Sequence, residues 1–126
     1  MEKIIAVALG GAIGSVSRYL ISLAAGDYHV QSFPIGTFLA NIIGCLLIGI
    51  LWAIFDRITI SNEFRLFLFT GFLGGFTTFS TFARETTQMF KSGEHIQAFS
   101  YLAFSNLFGI GMVAIGFLVV HRFIRW

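Results

Sequence analysis

Acidic residues are scarce in this chain, six Asp and Glu among 126 positions. Only Glu85 falls inside a long apolar stretch, and it stands near that stretch's end. Transporters coupled to cations or protons rely on an ionisable acid deep in the membrane, so this scarcity argues against that class. A single cysteine, Cys45, leaves no intramolecular disulfide to form and fits a small packing residue. The three histidines, His29, His95 and His121, sit in connections or at an end and never together, so no metal cluster is expected of them. There is no Ser–His–acid arrangement and no phosphate-binding glycine loop, which leaves enzyme catalysis without a nucleophile or a base. The pI of about 9.0 does not point to nucleic acid, because the basic residues are scattered at helix ends and form no stripe.

What the chain has in abundance is apolar surface. It is 56% hydrophobic, with 16 phenylalanines and a mean hydropathy of +0.85. A soluble domain of this size could not hide so much, since small folds leave much of their surface exposed. Four stretches, 4–25, 35–55, 66–90 and 98–120, each approach the ~20 apolar residues that a spanning helix needs. The expected fold is an all-α integral membrane protein, a single four-helix transmembrane domain over residues 1–126. Its connections are short, and the only proline, Pro34, stands where the second helix would begin. The first stretch is too long for the apolar core of a signal peptide, ~7–15 residues, and reads as a retained helix.

An even number of spans places both termini on one side, with Lys3, Arg57, Arg65, Arg122 and Arg125. The other side has Lys91, joined by Arg18 and Arg84 if basic residues inside the spans are counted. Positive-inside reasoning favours cytoplasmic termini, but so weak a bias permits insertion in either orientation.

The polar residues at membrane depth are the functional candidates, because each is expensive there. They are Arg18 in the first span, Thr37 and Asn41 in the second, and Tyr101, Ser105 and Asn106 in the fourth. In the third, Thr77, Thr81, Arg84 and Gln88 share one helical face, bordered by Ser80 and adjoined by Phe76, Phe79 and Phe82. Hydroxyls and amides do not select an ion's sign. The missing deep acid, the two arginines and the positive edges of phenyl rings together favour a small anion. The plainer alternatives are also open: phenylalanines as packing, hydroxyls bonded back to their own helix, Arg18 reaching to an interface. Gly10 and Gly14, then Gly36, Ala40 and Gly44, then Gly71 and Gly75, are spaced for close helix contact. The pair Gly74-Gly75 followed by Thr77-Thr78 admits two readings: a close crossing, or an unwound turn whose freed carbonyls hold a monovalent cation.

The segments GGAIGSVSRY (10–19), GTFLANIIGCLLIG (36–49) and GFLGGFTTFSTF (71–82) strongly resemble the CrcB/Fluc family of fluoride channels. The likeness extends over essentially the whole chain. It implies an antiparallel, dual-topology homodimer with the third helix broken at its middle and two fluoride pores along the interface. On this resemblance Phe79 and Phe82 are the paired pore phenylalanines and Asn41 the pore asparagine. Ser80 and Thr81 form a hydroxyl track with Thr37 nearby, Tyr101 and Ser105 join from the fourth span, and Arg18 lies near a vestibule. A structural Na+ would be held by the backbone carbonyls of Gly74 and Thr77 from both subunits. The implied function is passive exit of fluoride across a microbial plasma membrane (the cell inner membrane). Hydrogen fluoride enters neutral and dissociates inside, so an exit for the anion lowers its cytoplasmic level. The expected partners are fluoride, sodium, the lipid bilayer and a second copy of the chain, with no nucleic acid. Two rivals stand beside this reading, a small four-helix drug/proton antiporter and a non-transporting membrane scaffold.

Overall fold

The computed structural model describes residues 1–26 and 33–124; His29 and Arg125, both named above, lie outside the described residues. Within them the chain is helical, with no strand. Helix α1 is Glu2–Ala25 and α2 is Ile35–Phe55. Helix α3 occupies 62–76, α4 is Phe79–Lys91 and α5 is His95–Phe123. Among the described residues, four helical stretches are long and apolar enough to cross a membrane: α1, α2, Asn62–Lys91 and α5. The expected spans fall on these, and α5 begins three residues earlier than its apolar run because His95 and Gln97 continue the helix into the polar edge.

Local chemistry sets the ends. Ser61 caps α3, its hydroxyl accepting from the Phe64 amide at 3.2 Å. Between α4 and α5 the chain reverses at Gly93, whose φ of +77° is a left-handed conformation that glycine adopts freely. There the Glu94 amide bonds back to the Met89 carbonyl at 2.9 Å. At the opposite end Arg57, just past α2, bonds the Ile124 carbonyl and His121 Nδ1, so the turn after α2 is tied to the end of α5.

The helices pack chiefly as two pairs, α1 on α3 and α2 on α5. Without a hydrophobic drive in lipid, such pairs depend on close backbone approach. A Cβ at Gly10 or Gly14 would run into the Phe67 and Phe72 carbonyls of α3. The other pair is held the same way through Gly49 and Gly116, each of which faces a carbonyl of the opposite helix.

The third span is the irregular one. Residues Leu66–Leu73 wind as a π-helix, a widening that no side-chain pattern announced. Gly74 and Gly75 are helical, so the glycine pair is not where the winding stops. A Cβ at Gly75 would stand 2.6 Å from the Gly11 carbonyl, which makes this glycine a close-crossing residue of α1 and α3. The backbone turns extended two residues later, at Thr77 (φ −92°, ψ 154°) and Thr78 (φ −148°, ψ 115°), before α4 begins. Helix α4 turns Phe82, Thr86 and Met89 inward, and Phe82 and Met89 pack with Ala98 and Tyr101 of α5.

Candidate functional site

The extended pair Thr77-Thr78 needs partners for its backbone groups at membrane depth. Asn41 of α2 supplies them. Its Oδ1 accepts from the Thr78 amide at 2.8 Å, and its Nδ2 donates to the Thr78 carbonyl at 3.2 Å. The carboxamide thus replaces a stretch of helix, and one of its two N–H bonds is left for another acceptor. The Thr78 hydroxyl caps α4, accepting from the Thr81 amide at 3.2 Å. Arg18 of α1, half-buried, reaches the same region from the far side and donates from Nε to the Gly75 carbonyl at 3.0 Å.

These substitutions have a consequence for two other carbonyls. In an unbroken helix the Thr78 amide would bond the Gly74 carbonyl, and the Thr81 amide would bond that of Thr77. Both amides are turned elsewhere, to Asn41 Oδ1 and to the Thr78 hydroxyl. The Gly74 and Thr77 carbonyls therefore lack their helical donors. Both residues line the same open groove, so the donor chemistry fits a hard monovalent cation.

That groove has a volume of about 380 Å³ and collects Asn41, Gly74, Thr77, Phe79, Phe82 and Ser105. Of the two phenylalanines, Phe82 is 8% exposed and Phe79 is 79% exposed. Their ring centroids are 5.7 Å apart at an interplanar angle of 49°. Phe79, on the wall of this groove, stands on the outside of the fold.

Asn106 also lines this groove, and the other polar candidates named from the sequence lie outside its lining. Ser80 is exposed beside the Thr78 hydroxyl, and Thr81 Oγ1 accepts from that hydroxyl at 3.1 Å, so both belong to the cap of α4. Thr37 and Tyr101 are buried on the other side of Phe82, whose ring meets that of Tyr101 at 4.9 Å. Tyr101 also receives the ring of Phe33 edge-on at 5.2 Å. Both hydroxyls donate to Glu85, Thr37 Oγ1 to Oε1 and Tyr101 OH to Oε2, each at 2.8 Å. Glu85, set aside above as an acid near a span's end, is turned inward and joins the second and fourth spans to the third. A signal for it was present: it follows Phe82 by three residues and precedes Met89 by four, on the inward face of α4. Beyond Glu85 a second cavity of about 220 Å³ is lined by Pro34, Arg84, Glu85, Gln88, Met89, Ser92 and Glu94.

Comparison with known proteins bears on what such an arrangement does. A family model described as CrcB-like protein, Camphor Resistance (CrcB), matches residues 5–117. A fluoride-specific ion channel FluC of Desulfotalea psychrophila is 57% identical over 121 residues, 96% of this chain and 94% of that protein. One from Phocaeicola vulgatus is 44% identical, with 92% of this chain and 96% of the relative covered. One from Helicobacter pylori is 40% identical, with 93% and 92% covered.

Proposed function

Since this chain belongs to the CrcB family, we propose that it is a fluoride-selective ion channel and lets fluoride leave the cytoplasm passively across the plasma membrane. The observation that supports the reading at particular residues is the open groove, whose lining includes Asn41, Ser105, Phe79 and Phe82 together. Fluoride holds its water strongly, so a selective path must replace that water with donors and ring edges that release the ion again. Larger halides are excluded by size. Ser80, Thr81, Thr37 and Tyr101 extend the donors to either side, and Arg18 attracts anions near the path.

A lone subunit leaves Phe79 and the groove open to lipid. An antiparallel second copy, inserted with opposite topology, closes the groove and makes two pores along the interface. It also brings a second pair of Gly74 and Thr77 carbonyls to face the first. A sodium ion held among them would supply positive charge to carbonyls that have lost their helical donors, and so fasten the two subunits together.

Purified protein in liposomes loaded with fluoride should release it, and should not release chloride at a comparable rate. Absent fluoride efflux, or equal passage of chloride, overturns the channel reading. Fluoride sensitivity of a deletion strain separates it from a non-transporting scaffold, and independence from an imposed pH gradient separates it from a proton antiporter.

A further inference from the structure

Asn106 stands roughly 17 Å in from the His95 end of α5 and roughly 26 Å from the Phe123 end, well inside the membrane. It is exposed, and so are Phe99, Ala103 and Ile110, its neighbours one and two turns away on the same helix face. A carboxamide among such residues is costly in lipid and belongs against protein or a polar space. The space it borders is the groove that Asn41, Ser105, Phe79 and Phe82 also line. Its Nδ2 donates to the Leu102 carbonyl, one turn back, at 2.7 Å. A carbonyl oxygen only accepts, so this bond fixes which end of the amide is nitrogen. One N–H is thereby engaged and one is left, and no second partner for the side chain stands among the described residues.

We propose that Asn106 is a second carboxamide of the anion path, donating its remaining N–H to fluoride as Asn41 does. The inference rests on the channel reading above. The two asparagines are alike in one respect. Each engages one N–H with a backbone carbonyl, Asn41 with that of Thr78 and Asn106 with that of Leu102, and each keeps the other. They line the groove from different helices, α2 and α5. Fluoride gives up its water only where several donors replace it, and a single asparagine supplies one. A neutral amide also holds the ion less tightly than a charged donor, so it admits fluoride and lets it go again. The bond to Leu102 restrains the side chain before the ion arrives, which lessens the entropy lost on binding.

The test measures initial efflux rate against internal fluoride concentration in proteoliposomes, with dimer cross-linking in the same samples. Asn106→Leu keeps the shape of the side chain and removes its donors. The half-saturating fluoride concentration should rise by about two- to tenfold, the worth of one hydrogen bond, while the cross-linking yield stays that of the parent. Thr87→Ala removes another exposed side chain bonded to the carbonyl four residues back, but one outside the groove, and should behave as the parent. An unchanged half-saturating concentration in N106L overturns the inference. A lower cross-linking yield with that concentration unchanged overturns it too, and makes Asn106 a contact between copies. Should N106L fail to assemble, nuclear magnetic resonance of the unmutated protein with isotope-labelled asparagine decides. The chain has three asparagines, Asn41, Asn62 and Asn106, and Asn62→Ser identifies the side-chain amide signal of Asn62. Adding fluoride must shift the signals of the other two, and a shift in one alone, or in neither, counts against the inference. A parent protein that carries no fluoride removes the channel reading and this inference together. A parent that carries it while N106L is unmoved removes this inference alone.

Discussion

Asn41 shows how much one side chain can hold at membrane depth. Its carboxamide pairs with both backbone groups of Thr78, so replacing it does more than remove an anion donor. Asn41→Leu leaves a peptide N–H and C=O unpartnered, a loss of about 1–3 kcal/mol, and should lower the thermal midpoint of the solubilised protein as well as abolish flux. The two phenylalanines should separate in the same assay. Phe82, 8% exposed and packed on Tyr101, belongs to the interior of the fold. Phe79, 79% exposed, does not. Both Phe79→Ile and Phe82→Ile are expected to cut fluoride efflux, by about tenfold if each removes ~1.4 kcal/mol of transition-state stabilisation. Only Phe82→Ile should also lower the midpoint. Equal midpoints for the two variants would contradict the packing described for Phe82. Residue types made Asn41 and the phenylalanines legible as candidates. Their division of labour was not legible, because it depends on which neighbours the fold brings up to them.

At the scale of helices, the spans could be read from hydropathy to within about four residues at each end, since the length of an apolar run is set by the bilayer. The crossings could be read in part. Small residues at i and i+4 foretold close approach, and Gly10 and Gly14 do meet α3 backbone. Gly14→Ala should destabilise the α1–α3 pair by about 1–3 kcal/mol or more, because its Cβ would strike backbone that cannot yield. Gly111→Ala, with nothing within 4 Å of its Cβ, should be tolerated, and differential scanning of both variants in detergent checks the contrast. The irregular winding of the third span was legible only as a neighbourhood. Glycines next to threonines announced a weak helix. Yet Gly75 serves the crossing, and the extended backbone falls on Thr77 and Thr78, where Asn41 and the Thr78 hydroxyl offer replacement hydrogen bonds. A helix stops where its backbone groups find other partners, and those partners come from another helix.

For the molecule as a whole, the described face that carries Phe79 and the groove is the one that a second copy would cover. If sodium fastens two copies through Gly74 and Thr77 carbonyls, then replacing Na+ by a large organic cation on both sides of the membrane should suppress fluoride efflux and weaken the dimer. Efflux in sodium-free vesicles and cross-linking yield are the measurements, and full activity without sodium would count against the site. Orientation is testable separately. Adding two lysines to one loop should fix a single topology, and such a variant should conduct only when mixed with a counterpart biased the other way.

The sequence by itself determined the class of this protein: apolar runs of bilayer length, motifs of one family, and a shortage of deep acids that favours anions. These follow from composition and order, because the membrane acts on each segment separately. Tertiary structure alone decided which polar groups are satisfied by whom. It gave the Asn41 amide to Thr78, withdrew the helical donors from the Gly74 and Thr77 carbonyls, and turned Glu85 inward onto Thr37 and Tyr101. Hydrogen bonds in a medium without water must be completed within the protein, and their partners lie 16 to 48 residues apart along the chain.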